Sequence, residues 1–179
     1  MDTLSASVLR DRKPQIGIVL GSGLGALAER IEGAEALPYS DIPGFPVSTA
    51  PGHKGRFVFG TIGDKEVVLM DGRVHLYEGY TPQQVVMPIR LMRQMGIHTV
   101  LLTNASGGIR RDLHAGDLML LTDHISSLVP SPLRGENDPA LGVRFPDMRH
   151  VYDEDLQRLF RQTAKALDIP LSYTHLTLP

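Results

Sequence analysis

Apolar positions along this chain fall into short runs separated by glycine, proline and charged residues. The run from Ile16 to Leu20 has no polar alternation, is β-branched at Ile16, Ile18 and Val19, and stops at Gly21, Gly23 and Gly25. Such a run, starting from Gln15, predicts a buried strand entering a tight loop. Ala26 to Ile31 has helix-forming composition with Gly33 as a stop, so a helix is expected there. Pro38 to Gly55 is rich in proline and glycine and predicts loop. Arg56 to Ile62 and Glu66 to Met70 predict two strands joined by a turn at Gly63-Asp64, a hairpin. Thr81 followed by Pro82 predicts a capped helix start, with Val85, Ile89 and Met92 on one face, a kink at Pro88 and an end at Gly96. His98 to Thr103 and Leu118 to Thr122 are further expected strands, and Asp153 to Leu167 a last amphipathic helix.

This alternation, with an antiparallel hairpin inside it, predicts an α/β fold: one domain with a central twisted mixed sheet flanked by helices. Composition narrows the function. With 179 residues, 42% hydrophobic and 21% charged, the chain can bury a sizeable core. The formal net charge is −2 and the two signs are interspersed, so no basic surface for nucleic acid or an anionic membrane is indicated, and a small-molecule partner is expected. The absence of cysteine removes disulfides, thiolate zinc sites and a cysteine nucleophile. Met1 to Lys13 lacks the apolar core of a signal peptide, and no run approaches the roughly 18 apolar residues of a membrane span. A cytoplasmic protein is expected.

Ligands of α/β folds sit in the loops that follow strand ends, and three of four informative segments lie there. Gly21-Ser22-Gly23-Leu24-Gly25-Ala26 follows a strand; exposed amides at a helix start and the Ser22 hydroxyl suit an oxyanion. The same string is compatible with an unliganded turn. It also fits the dinucleotide pattern GxGxxA, which requires an acidic residue at a strand end roughly 20 residues on. Asp41 has the spacing, but Pro38-Tyr39-Ser40-Asp41-Ile42-Pro43 is not strand-like, and no Walker lysine follows the glycines. In Gly72-Arg73-Val74-His75-Leu76-Tyr77-Glu78-Gly79, an extended backbone would put Arg73, His75 and Tyr77 on one wall, suited to a phosphate and an adjoining sugar. The plainer reading is a solvated polar face, with Glu78 paired to a nearby cation. Thr103-Asn104-Ala105-Ser106-Gly107-Gly108 runs from a strand into small residues whose amides can approach an anion. Pro51-Gly52-His53-Lys54-Gly55 is a loop with one histidine, a residue that is usually just solvated.

Taken in order and spacing, GSGLG, PGHKGR, GRVHLYEGY, TNASGGI and DHISSLVPSPLRGEND with RFPDM closely resemble the trimeric-type purine nucleoside phosphorylases, over nearly all residues from Ile16 to Leu167. The resemblance implies phosphorolysis of purine nucleosides, inosine and guanosine and their deoxy forms, to free purine and (deoxy)ribose 1-phosphate. It implies inorganic phosphate as co-substrate, no metal or organic cofactor, and a homotrimer. By matched position it assigns Ser22, His53, Arg73, His75 and the backbone amide of Ala105 to phosphate, with His75 also catalytic. It assigns Tyr77 to ribose and Phe145 to a neighbouring subunit's site.

Two departures accompany the match. Ser106 stands where the family usually has a second alanine, and the paired glycines Gly107-Gly108 argue against the related methylthioadenosine phosphorylases. The family also continues further, with the glutamate and asparagine that hold the purine, a second phosphate serine and a ribose-facing histidine; none has a match here. Residues 1–170 therefore read as the N-terminal two thirds of a nucleoside phosphorylase domain, and Leu171 to Pro179 as a tail unlike the family, His175 included. The resemblance thus leaves open a phosphorylase or an inactive fragment with only a phosphate half-site; a dinucleotide-binding domain is the weaker alternative.

Overall fold

A computed structural model describes residues 12–49 and 54–178. His53 and all of the Met1–Lys13 segment except Arg12 and Lys13 lie outside the described residues. Residues up to Ser106 form one compact unit and those from Gly107 onward a second.

The first unit is built on a five-stranded mixed sheet in the order β2-β3-β4-β1-β5, with β1 Ile16–Leu20, β2 Glu32–Pro38, β3 Arg56–Ile62, β4 Lys65–Asp71 and β5 Thr99–Leu102. Strand β1 runs parallel to both β4 and β5, pairing Leu20 with Asp71 and Val19 with Leu102. β3 and β4 form the expected antiparallel hairpin, and β2 pairs antiparallel with β3 at the edge. The central strands are apolar without interruption because both sheet faces are covered. On one face Val19, Phe57, Val68 and Met70 pack with Tyr39, Phe45 and Met92, while on the other Ile18, Leu20, Val58 and Leu69 pack with Ala28 and Ile31. Successive residues of one strand thus enter opposite layers of core.

Here the structure departs from the sequence expectations in two elements and removes one alternative. Gly25–Glu29 is a five-residue 3₁₀ helix rather than an α-helix, and its N-cap, Leu24, supplies no side-chain cap. Glu32–Pro38 is a strand where no element was expected, and it takes in Pro38, the first residue of the expected loop; Asp41 ends the 3₁₀ turn Tyr39–Asp41. Because β1 has β4 and β5 as parallel neighbours and β2 lies at the far edge, no βαβ unit follows the glycine turn. The dinucleotide reading fails on that topology. The helix after Thr81 is divided into α1 Pro82–Val85 and α2 Met87–Gln94. Pro88 has no amide to donate back to Gln84, which accounts for the break at Val86. Thr81 caps the first piece, accepting from the Gln84 amide at 3.3 Å, and Gly96 follows the second with φ 87°.

The second unit contains β6 Leu118–Ser126, α3 Glu154–Ala166 and β7 Leu171–Leu178. β6 and β7 pair in parallel, with a register shift between Leu121 and Asp123, and α3 lies against β6. Asp153 caps α3 by accepting from the Leu156 amide at 2.9 Å. The segment expected to be a tail from Leu171 onward is a strand, with His175 opposite Asp123 in the register. No described helix is long and apolar enough to cross a membrane.

Candidate active site

The parallel alignment of β1, β4 and β5 brings their C-terminal ends side by side, and with them the segments that start at Gly21, Gly72 and Thr103. These are three of the four segments that the sequence singles out. Side-chain and backbone contacts knit them together. The Arg73 Nη1 donates to the Thr103 carbonyl at 3.3 Å, and the Gly21 amide donates to Thr103 Oγ1 at 2.8 Å. Arg73 Nε points at His75 Nε2, 3.3 Å away, and the His75 ring stacks on Tyr77 with centroids 4.6 Å apart. Arg73, His75 and Tyr77 are therefore contiguous, but not through an extended backbone. Leu76–Glu78 is a 3₁₀ turn, and it leaves Tyr77 77% exposed beside the imidazole.

Ser22 and Ala105 are exposed on their respective turns. Any part of the Gly21–Gly25 turn in holding an oxyanion would fall to its amides and hydroxyl, since the helix behind it is too short for an appreciable dipole. Gly23 takes φ 84°, a left-handed conformation that glycine adopts without strain. Ser106, the departure from the family pattern, donates to Asn104 Oδ1 at 3.2 Å. That bond stays within its own loop.

Sequence reasoning missed the use made of Glu78. Its side chain is 3% exposed, and Oε1 accepts from both the amide and Nδ1 of His75, each at 2.8 Å. Its other oxygen accepts from the amide and hydroxyl of Thr49. Its partners are thus the site histidine and the segment that leads to His53, not a surface cation. Burial opposes ionisation of Glu78, but the hydrogen bonds from Thr49 and His75 outweigh it and hold the carboxyl down at about 2. An ionised Glu78 can only accept, so Nδ1 of His75 donates to it, while Nε2 accepts from Arg73 Nε. The legible signal was an acidic residue three positions after the turn entry, as in a capping box.

Asp71, at the end of β4, is 3% exposed and accepts from Arg56 Nε at 2.9 Å. The glycine turn sits against it: a Cβ on Gly25 would lie 3.2 Å from Asp71 Oδ1. The Tyr39 hydroxyl, fully buried, donates to the Gly72 carbonyl at 2.8 Å and so anchors the residue before Arg73 to the aromatic core. A shallow pocket lined by Arg12, Glu32, Phe59 and Glu66 lies toward the start of β1, at the opposite end of the sheet from this constellation. Phe145 belongs to the second unit and is 86% exposed, with the Arg144 guanidinium 6.0 Å from its ring centroid. Arg144 in turn donates to the carbonyls of Leu133 and Gly135, which braces the loop that presents Phe145. No cluster of three or more His, Asp or Glu able to hold a metal ion occurs among the described residues.

Comparison with known proteins adds to this geometry. The family model described as the Phosphorylase superfamily matches residues 15–175, from the start of β1 into β7. The chain belongs to that superfamily. Within this phosphorylase family, the chain is 48% identical over 169 residues to purine nucleoside phosphorylase 1 of Bacillus subtilis (strain 168), covering 93% of this chain and 62% of that protein. It is 43% identical over 162 residues to the purine nucleoside phosphorylase of Bos taurus, covering 88% and 55% respectively. The fold superposes on a purine nucleoside phosphorylase in complex with ribose-1-phosphate with a TM-score of 0.91, at 37% identity, covering 98% of this chain and 67% of that one. A Schistosoma mansoni purine nucleoside phosphorylase in complex with inosine gives a TM-score of 0.90 at 36% identity, covering 99% and 64%. The chain thus spans between about half and two thirds of the length of these relatives.

Proposed function

We propose that this chain carries the phosphate-binding part of a purine nucleoside phosphorylase, and that the reaction it serves is the phosphorolysis of inosine, guanosine and their deoxy forms. The observation that carries the reading is the convergence of the Gly21, Arg73 and Ala105 segments at the ends of three parallel strands, bonded to one another through Thr103. Phosphate is a poor nucleophile unless held in line with the anomeric carbon, so a rigid cradle of this kind addresses the main requirement of the reaction. The Arg73 fork, the Ser22 hydroxyl and the Ala105 amide would hold phosphate oxygens. His75 Nε2, which accepts in the structure, fits the one protonated oxygen of monohydrogen phosphate, while Glu78 fixes the ring.

In the reaction, a phosphate oxygen forms the bond to C1′ as the bond from C1′ to purine N9 breaks, and the electron pair leaves with the purine. The proton that phosphate gives up balances the one the purine takes up. Charge on the sugar rises toward an oxocarbenium ion in the transition state, and the anchored anion beside it lowers that barrier electrostatically. Tyr77 would lie along the ribose. Phe145, exposed on its braced loop, fits the role of reaching a neighbouring subunit, and a homotrimer in the cytoplasm without cofactor belongs to the same proposal.

A second reading has its own support. The chain spans 62% of the Bacillus subtilis relative, and the purine-holding groups implied by the resemblance have no match in it. A phosphate half-site without turnover is then expected of these residues alone. A phosphate-dependent assay of hypoxanthine release from inosine separates the two: phosphate-dependent turnover supports the enzyme, and phosphate binding without hypoxanthine release supports the half-site. Failure to bind phosphate would sink both.

A further inference from the structure

Thr103 stands one residue beyond β5, where the β1/β5 ladder stops, and it makes four hydrogen bonds to two other segments. Its amide donates to the Val19 carbonyl at 3.1 Å, and its hydroxyl donates to the same carbonyl at 2.8 Å. The hydroxyl also accepts from the Gly21 amide at 2.8 Å, and the carbonyl accepts from Arg73 Nη1 at 3.3 Å. Gly21 is buried, so its amide would be an unpaired donor if the ladder simply ended. The threonine hydroxyl, which can donate and accept at once, supplies the missing rung from a side chain. The strands can then diverge into separate loops without losing register. The contact is also tight: a Cβ on Gly21 would lie 2.7 Å from Asn104 Cα.

We propose that Thr103 is a positioning residue for the anion, tying the Ser22 turn, the Ala105 loop and the Arg73 guanidinium into one frame, an inference that rests on the phosphate site proposed above. Ser22 follows Gly21 directly and Ala105 lies two residues after Thr103, so the two bonds of the hydroxyl set the gap between the expected anion donors on either side. Arg73 is held by a backbone carbonyl of the same residue, which places its fork at that gap. Thr103 itself is not assigned a bond to phosphate.

Titration with inorganic phosphate, followed by 31P NMR or calorimetry, tests this on the chain as it stands. Thr103→Val keeps the shape and removes the hydroxyl, and it is expected to raise the phosphate Kd by about tenfold or more, the scale of one lost buried hydrogen bond. Thr103→Ser keeps the hydroxyl and is expected to stay within about threefold of wild type. Amide exchange at Gly21 should speed up in Thr103→Val and not in Thr103→Ser. A purely structural threonine would lower the unfolding midpoint in Thr103→Val and leave the Kd of the folded protein unchanged, and that result overturns the proposal. Equal weakening in the serine and valine variants overturns it too. Thr103→Ala, which does not place a second methyl against the Gly21 amide, gives the same reading should the valine variant not fold. Absence of phosphate binding in the wild type overturns the site and this inference together, whereas wild-type binding that survives Thr103→Val overturns this inference alone.

Discussion

Glu78 Oε1 lies 2.8 Å from His75 Nδ1 and 2.8 Å from the His75 amide, so one buried carboxylate oxygen fixes both the ring and the backbone of the expected catalytic histidine. Its second oxygen binds Thr49, the residue before the last one preceding the Pro51-Gly52-His53 segment. The turn carrying His75 and the approach to His53 are thereby joined through one side chain.

Substituting that side chain should therefore be costly in two ways. Glu78→Gln retains volume but its amide group can accept at only one atom, leaving donors of His75 and Thr49 unpaired at about 1–3 kcal/mol each when buried. Denaturant unfolding should show the loss, and phosphate affinity should fall with it because His75 is no longer held.

The same group predicts a pH dependence. The carboxyl of Glu78 is held at about 2, below its ordinary 4.5, so its contribution to stability is complete above 4.5 and is lost as the pH falls toward 2. Unfolding midpoints measured across that window should drop in the wild type and drop less in Glu78→Gln. An identical slope in both proteins would contradict the assignment.

Arg73→Ala should weaken phosphate binding by about tenfold to a hundredfold, the scale of a charge-assisted bond, and Arg73→Lys should recover only part of it because a point charge cannot reproduce a bidentate fork. Calorimetric Kd values for the three proteins check the order.

Tyr39→Phe leaves the Gly72 carbonyl without its buried donor and should cost about 1–3 kcal/mol in urea unfolding. Burial, with the Asp71 charge adding to it, pushes the Tyr39 phenol above its ordinary 10.0. The wild type should then lose this stabilisation only as the pH rises above 10.0, and Tyr39→Phe should lack that alkaline loss.

Gly21→Ala should separate the two loops that Thr103 joins. The added Cβ would meet Asn104 Cα at 2.7 Å and the Thr103 carbonyl oxygen at 2.8 Å, both backbone atoms that cannot move aside alone. A loss of about 1–3 kcal/mol is expected, read by denaturant unfolding, together with weaker phosphate binding.

What was legible in the sequence had a physical reason to be. β1 and the β3–β4 hairpin stand out because both faces of the sheet are buried, so Ile18, Val19 and Leu20 are all apolar. β2 was hidden because it is an edge strand of glutamates, small residues and proline, with exposed positions nearly throughout, and only its backbone pairing with β3 makes it a strand. Gly25–Glu29 has helical composition but only five residues, too few to sustain an α-helix, so propensity overstated it. In the site, Arg73, His75 and Tyr77 were legible as neighbours because they are close in the chain. Thr103 was not legible as their scaffold, since its partner Gly21 lies 82 residues away and meets it only through the register of β1 and β5.

The central claim is that the loops at the ends of β1, β4 and β5 form a site for inorganic phosphate. Titration of inorganic phosphate into the wild-type chain and Arg73→Ala, monitored by 31P NMR, tests it most directly. Saturable one-to-one binding that weakens by at least about tenfold in Arg73→Ala is the predicted result; no saturable binding, or binding unchanged by the substitution, would contradict it.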